Sequence, residues 1–71
     1  MDRVRVSSTN VASIGYEVET ETLEVEFRNG SVYQYSRVPQ RHWDGLMNAP
    51  SKGTYLNRQI KNGPYRFRQI R

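Results

Sequence analysis

Apolar and polar residues alternate along much of the first half of the chain. Arg3–Val6 reads Arg-Val-Arg-Val, and the alternation resumes over Ser13–Phe27, where glutamates separate the apolar side chains. A period of two is typical of β-strands that bury one face and expose the other. The pattern therefore predicts a short first strand, a polar break at Ser7–Asn10, and then an antiparallel hairpin.

The hairpin over Ser13–Phe27 needs a turn, and we place it at Thr20-Glu21. A two-residue loop there, or a four-residue loop in the same register, puts six apolar side chains on one face of the sheet. The predicted pairs are Val18 with Leu23, Tyr16 with Val25, and Ile14 with Phe27. The other face is then a solvated one that carries the glutamates at positions 17, 19, 24 and 26. Glu17 lies opposite Glu24 in this register, and Arg3, Arg5 or solvent can relieve their repulsion.

A second hairpin is indicated by Asn29-Gly30, and the length of its loop decides which face the next strand buries. A two-residue loop would turn Tyr33 and Tyr35 toward the glutamates. A three-residue loop, Arg28–Gly30 with Gly30 in the left-handed conformation, turns both rings toward the core. Burying two tyrosine rings is favoured by several kcal/mol, so we expect the three-residue loop, with Tyr33 opposite Val25 and Tyr35 opposite Leu23.

The second half of the chain changes to a helical period. Pro39 can begin a helix, and Gln40–Ala49 carries apolar residues at helical spacing, although Gly45 weakens this helix by about 1 kcal/mol. Ser51 is a good N-cap for a second helix, which ends at Asn62-Gly63-Pro64. The expected apolar stripes are Trp43, Leu46 and Met47 on the first helix, and Tyr55, Leu56 and Ile60 on the second.

These elements predict one domain over residues 1–71 with an α+β fold. We expect an antiparallel β-meander of three to four strands with two short helices packed on one face. The tail after Tyr65 alternates only in part, so it is either a short edge strand or a frayed end. A chain of this length buries only about 60% of its unfolded surface, and its eight aromatic residues supply much of the apolar area.

Charge is distributed unevenly along the chain. Residues 1–27 hold six acidic and two basic residues, whereas residues 28–71 hold nine basic residues and one acidic residue. Such asymmetry indicates an anionic partner for the later half, of which nucleic acid is the commonest, although a basic rim can also serve solubility alone. The residues we expect to contact RNA or another polyanion are Lys52, Arg58, Lys61, Arg66 and Arg68.

Catalytic and cofactor chemistry finds little support in the sequence. The chain has no cysteine and one histidine, so we expect no metal site and no cofactor. His42 and Asp44 are two apart on a helix and point in different directions, which argues against a serine–histidine–aspartate arrangement. We therefore expect a protein that is not an enzyme.

Several polar motifs have a structural interpretation beside a ligand-binding one. Ser51-Lys52-Gly53 could offer a hydroxyl, an ammonium and backbone N–H groups to a phosphate, but Ser51 as a helix cap and Gly53 as a point of close packing are favoured. The cluster Ser7, Ser8, Asn10 and Ser13 is expected to fix a tight connection rather than hold a ligand. Asn57, if it faces inward, would bind loop carbonyls.

The order and spacing of several motifs resemble the KTSC domain, a family found at the C-terminus of some lysyl-tRNA synthetases and in small stand-alone bacterial and phage proteins. The resemblance covers roughly residues 4–65, and its Tyr-x-Tyr feature corresponds to Tyr33 and Tyr35. Pro50 departs from the pattern. The matching stretches are residues 6–16, 23–27 with Gly30, 33–35 with Val38-Pro39, 46–49, and 51–57 with Ile60.

The resemblance implies a small binding module, and RNA binding is suggested by the synthetase association. We expect a monomer in the cytoplasm, without membrane contact, that binds tRNA or single-stranded RNA. The alternative is a protein-interaction module that uses an exposed sheet edge or an apolar patch around Trp43. Tyr33, Tyr35, Ser51, Gly53 and Asn57 are expected to be structural members of the motif.

Overall fold

The computed structural model describes all 71 residues as one antiparallel sheet with helices packed on one of its faces. Five strands follow one another in chain order across the sheet, so the predicted meander is confirmed with one strand more than expected. The extra strand is the C-terminal tail. The strands are β1 (Val4–Arg5), β2 (Val11–Glu17), β3 (Thr22–Phe27), β4 (Val32–Tyr35) and β5 (Phe67–Gln69).

Two helical segments lie between β4 and β5. Helix α1 spans Gln40–Asn48 and follows Pro39, as predicted. The second helix is α-helical over Lys52–Tyr55 and π-helical over Leu56–Lys61. Ser51 caps it, since its hydroxyl accepts a hydrogen bond of 3.3 Å from the Thr54 N–H, and this confirms the predicted N-cap.

The β3–β4 hairpin has the predicted three-residue loop. Tyr33 lies opposite Val25 and Tyr35 opposite Leu23, and Gly30 has a φ of +93°. The Phe27 N–H donates to the Ser31 carbonyl at 2.8 Å, which closes the loop. Both tyrosine rings therefore face the helices, and Tyr35 is only 3% exposed.

The β2–β3 register differs from the predicted one by two residues. Tyr16 lies opposite Leu23 and Ile14 opposite Val25, so the loop contains four residues, Val18–Glu21. A two-residue type I′ loop needs a positive φ at both of its positions, whereas this loop has a positive φ only at Glu21, where it is +54°. Val18 consequently lies in the turn and is 57% exposed, instead of joining the core.

A shift of two residues preserves the face of every other side chain, because the period of a strand is two. The expected inward residues Ile14, Leu23 and Val25 are therefore all fully buried. An irregularity between Val11 and Ser13 turns Val11 inward opposite Phe27. The core is completed by residues from the helical side: Val38, Leu46, Leu56 and Ile60.

Helix α1 buries His42 and Leu46, while Trp43 and Met47 are half-buried against the core.

The packing of α1 against the second helix requires a residue without a side chain at Gly45. A Cβ built there would lie 2.6 Å from Cζ of Tyr55, and closer still to its hydroxyl. The missing side chain lets the Tyr55 ring of the second helix approach α1, so the glycine that weakens the isolated helix serves the packing between helices.

Gly30 provides a direct test of the β3–β4 turn. No atom lies within 4 Å of a Cβ built at Gly30, so Gly30→Ala is expected to lower the free energy of unfolding by about 1–2 kcal/mol through its backbone conformation alone. Thermal unfolding should show a melting temperature lower by about 4–8 °C per kcal/mol. Gly30→Asn is the matched control and should cost less, since asparagine tolerates the left-handed region. Equal costs for both variants would contradict this explanation.

Gly45→Ala tests the close approach of Tyr55. Helix propensity alone predicts that alanine stabilises a helix by about 1 kcal/mol relative to glycine. We expect the opposite, a lower melting temperature, because the new methyl group overlaps the Tyr55 ring. In a Tyr55→Leu background the same substitution should become neutral or stabilising. Stabilisation in the wild-type background would show that the ring moves away without cost.

Candidate functional site

A cavity of about 620 Å³ opens between the inner face of the sheet and the second helix. Its lining contains four aromatic residues, two cationic residues and no carboxylate. We call this cavity the groove. The aromatic residues are Phe27, Tyr33, Tyr35 and Phe67, and the cationic residues are Arg28 and Lys61.

The strand pairing assembles the aromatic residues on one side of the groove. β5 pairs with β4 so that Phe67 lies opposite Tyr35. The Phe67 ring is 5.9 Å from the Tyr33 ring and 5.8 Å from the Tyr35 ring, between centroids. Phe27 meets Tyr33 edge-on at 5.7 Å. These four rings form an aromatic floor, and Phe67 on the edge strand is 64% exposed.

The second helix supplies the opposite wall. Leu56 and Ile60 are buried, and the residues that follow each of them, Asn57 and Lys61, line the groove. The π-helical hydrogen bonding continues to the end of the helix, where the Asn62 N–H donates to the Asn57 carbonyl at 3.1 Å. The Lys61 ammonium lies 5.8 Å from the centroid of the Phe27 ring, so a cation stands at the rim of the floor.

The mouth of the groove also receives the loop before β2. The Ser8 hydroxyl accepts hydrogen bonds from the backbone N–H groups of Asn10 and Val11, at 3.3 and 3.2 Å. The predicted side-chain-to-backbone bonding of this loop is therefore present. Arg28 joins the same loop, because its Nε donates to the Ser8 carbonyl at 2.7 Å. Asn10 and Arg28 thereby take fixed positions along one side of the groove.

The five cations predicted to bind a polyanion lie in three places. Arg58 and Lys61 are exposed on the second helix. Lys52 donates to the carbonyls of Met47 and Ala49, at 3.2 and 2.8 Å, and so ties the end of α1 to the second helix. Arg68 lies on the outer face of the sheet, where it donates to Gln34 at 3.2 Å, and exposed Arg66 precedes β5.

The predicted motif residues also have definite positions. Tyr33, Tyr35, Gly53 and Asn57 all line the groove, whereas Ser51 is the helix cap. A Cβ on Gly53 would meet Asn10 and Ser8 only at ordinary contact distances of 3.9 and 4.0 Å. Asn57 is exposed and its side chain binds no loop carbonyl. Asn10 and Phe67 also line the groove, a proximity to these residues that the sequence pattern does not show.

The expectation of a solvated outer face is wrong for Glu24, whereas its expected relief by Arg3 is confirmed. Glu24 lies opposite Gly15 rather than Glu17, and it is 6% exposed. Its carboxylate pairs with Arg3 and accepts a hydrogen bond of 2.8 Å from Gln34. The reason is that the two-residue shift brings Glu24 under the side chain of Arg3, from the N-terminal segment.

Glu26 is also neutralised on the outer face. It accepts a hydrogen bond from Ser13 at 2.8 Å, and it pairs with Arg71 at 2.9 Å. The Ser13 hydroxyl lowers the pKa of this carboxyl, and Arg3 and Arg71 lower it further against the opposing effect of desolvation. Two glutamates thus hold the N-terminal and C-terminal segments on the face opposite the groove.

His42 is buried beside Tyr55 instead of facing a reactive site. Its Nδ1 lies 3.0 Å from the Tyr55 hydroxyl, and the edges of Tyr55 and Tyr65 meet its ring. Burial lowers the pKa of His42, and Arg41 lowers it further. No group of three or more histidine, cysteine, aspartate or glutamate side chains is placed to hold a metal ion. None of the helices has the length and apolar character that crossing a bilayer requires.

The fold and the groove define a small α+β domain in which a five-stranded meander carries an aromatic cavity under its helices. A family model described as the KTSC domain matches residues 7–65. The chain belongs to the KTSC domain family, and the resemblance seen in its motifs is confirmed.

Similar proteins agree with this assignment. The solved structure of a KTSC domain protein from Yersinia pestis superposes with a TM-score of 0.90 at 39% identity, covering 99% of this chain and 97% of that one. An uncharacterized protein of Stutzerimonas stutzeri is 39% identical over 99% of both chains. A lysine–tRNA ligase of Nostoc punctiforme is 45% identical over 60 residues, which are 84% of this chain but only 10% of the ligase.

The lowered pKa of His42 predicts a pH-dependent stability. Between the ordinary value near 6.5 and the lower folded-state value, the unfolded chain binds a proton that the folded chain does not. The free energy of unfolding is therefore expected to fall as the pH drops below about 6.5. Protonation of carboxylates changes the free energy of unfolding only at lower pH. Titration of the His42 ring protons by NMR should give a pKa below 6.5. A pKa at or above that value would contradict the buried neutral imidazole.

Proposed function

We propose that this domain is a binding module for single-stranded RNA and that the groove is its site. The observation that carries the proposal is the combination of a largely exposed Phe67 on an aromatic floor with Lys61 and Arg28 at the rim. Unpaired bases stack on aromatic rings, and each stacked base contributes about 1–3 kcal/mol. Cations at the rim bind the phosphates that follow the bases.

Electrostatics favours the groove over the other faces of the domain. No carboxylate lines the groove, whereas the outer face contains Glu24 and Glu26. Arg58 adds a second exposed cation to the helix that carries Lys61, and exposed Arg66 precedes Phe67, whereas Arg68 lies on the outer face beside Gln34. We therefore assign Lys61, with Arg58 and Arg66, to phosphate contacts, and we assign Lys52 to the junction between the helices and Arg68 to the outer face.

The occurrence of the domain in lysine–tRNA ligases supports an RNA ligand. The ligase relative carries a similar segment within a much longer chain, which is consistent with a module added to an RNA-handling enzyme. The stand-alone relative matches nearly end to end, which is consistent with a module that also works by itself. On this proposal the domain supplies RNA contact and performs no catalysis.

A second candidate function is protein binding at the β5 edge of the sheet. β5 has a neighbour only on its β4 side. Phe67 in this strand is 64% exposed, and Ile70 just after it is 44% exposed. An edge strand of this kind can accept a strand from a partner protein. A partner held in this way would bind equally well after nuclease treatment and at higher salt, which distinguishes it from RNA.

Charge reversal tests the RNA proposal. With a fluorescently labelled single-stranded RNA, and with tRNA as competitor, fluorescence anisotropy should detect binding that weakens steeply as salt is added. Lys61→Glu is expected to weaken binding at least tenfold at low salt. Arg41→Glu is the matched control, because Arg41 is exposed on α1, outside the groove, and changes the net charge equally. Equal losses for both variants would contradict the groove, and no binding at low salt would overturn the proposal.

Removal of the exposed ring tests stacking separately from charge. Phe67→Ala is expected to weaken RNA binding by about 5- to 150-fold, as the loss of one stacked base implies. Because Phe67 is mostly exposed, its loss should change the melting temperature little. Ile70→Ala is the control, because Ile70 directly follows the same edge strand and lies outside the groove. Unchanged RNA affinity in Phe67→Ala would contradict stacking on the aromatic floor.

A further inference from the structure

Among the four rings of the aromatic floor, Phe67 alone presents an open face. Tyr35 is 3% exposed and belongs to the core, whereas Phe67 on the edge strand is 64% exposed. Tyr33 is half-buried and is surrounded by the other three rings. Phe27 is also half-buried, and the Lys61 ammonium lies over its ring. A flat ligand can therefore cover a whole ring only at Phe67.

The angles between the rings limit the site further. Successive bases of a single strand stack on successive rings only where those rings lie nearly parallel. The Phe67 ring is inclined by 46° to the Tyr33 ring and by 40° to the Tyr35 ring. The Phe27 ring stands at 84° to the Tyr33 ring. A base that lies flat on Phe67 thus leaves no parallel ring for the next base.

The helical layer is the reason that the sheet offers so few rings. Leu56 and Ile60 of the second helix are buried in the core that covers the inner face of the sheet. Sheets that bind RNA on an open face stack two or three bases. Here β5 is the exposed edge, and it contributes one ring. Its other inward residue is Gln69, which accepts a hydrogen bond of 3.2 Å from the Tyr33 hydroxyl.

We propose that the groove takes one unpaired base together with its adjoining phosphates. The ligand that fits is an isolated unpaired nucleotide, such as a bulge in a duplex, and a run of unpaired bases is not required. The proposal rests on the proposed function, since it names the ligand of the same site. Lys61 and Arg28 form no ion pair with a carboxylate, so both remain free for the phosphates beside the base.

The length of a single strand provides the first test, with affinities of uridine trimers and hexamers measured by fluorescence anisotropy on the full chain. A one-base site binds the hexamer only about twofold more tightly, because the longer strand offers twice as many bases to the same ring. Each further stacked base would instead add about 5- to 150-fold. The dependence of affinity on salt should also be the same for both lengths, since the same phosphates are bound.

A bulged duplex provides the second test. A short RNA duplex with one bulged uridine should bind at least about fivefold more tightly than the same duplex fully paired. In Phe67→Leu, which keeps an apolar side chain without a ring, the two duplexes should bind within about twofold of each other. Phe67→Trp is the matched control, because it keeps a ring at this position and should keep the preference for the bulge.

The outcomes separate this inference from the proposed function. A hexamer that binds more than about fivefold more tightly than the trimer would show that several bases stack, which overturns the one-base site and leaves RNA binding intact. Equal affinities for the bulged and paired duplexes, or a preference for the bulge that survives in Phe67→Leu, would overturn it as well. If the wild-type protein binds none of these RNAs at low salt, the proposed function itself fails.

Discussion

The left-handed backbone at Gly30 is the constraint on which the rest of the structure depends. It closes a three-residue loop between β3 and β4, and the loop length decides which side of the sheet receives Tyr33 and Tyr35. With both rings on the helical side, Tyr35 completes the core and Tyr33 extends it toward the edge. When β5 pairs beside β4, Phe67 joins the same side and the aromatic floor of the groove is complete.

Strand alternation also separates the charges of the molecule. The residues between the inward-facing ones carry the acidic groups, and these meet Arg3 and Arg71 on the outer face. The groove is left with cations and without carboxylates. Because successive side chains alternate between the two faces of the sheet, an ionic network forms on one face and a cavity suited to an anionic ligand forms on the other.

Some parts of this structure could be predicted from the sequence because a large energy separated the alternatives. The β3–β4 loop was such a case, since the wrong loop would have exposed two tyrosine rings. The β2–β3 register was different, because a slip of two residues preserves the buried face and changes mainly the position of Val18. The preference then comes from turn geometry, to which the hydrophobic pattern is insensitive.

The site was harder to predict than the fold because its residues meet only through tertiary contacts. The burial of His42 depends on Tyr55, 13 positions away, and the exposure of Phe67 depends on where the tail pairs. Nothing in the local pattern shows that the groove joins Asn10 to Asn57. The basic residues of the second half were visible in the sequence, but only the structure shows that Lys52 serves helix packing while Lys61 lies at the groove.

The most direct test of this account is to follow the aromatic ring resonances by NMR while a single-stranded RNA is added. The account predicts that the ring signals of Phe67 and Tyr33 shift with added RNA, since bases stack on the floor that the Gly30 turn creates. Tyr16 and Trp43, which stack on each other outside the groove, should stay unchanged. Shifts confined to Tyr16 and Trp43, with Phe67 and Tyr33 unaffected, would contradict it.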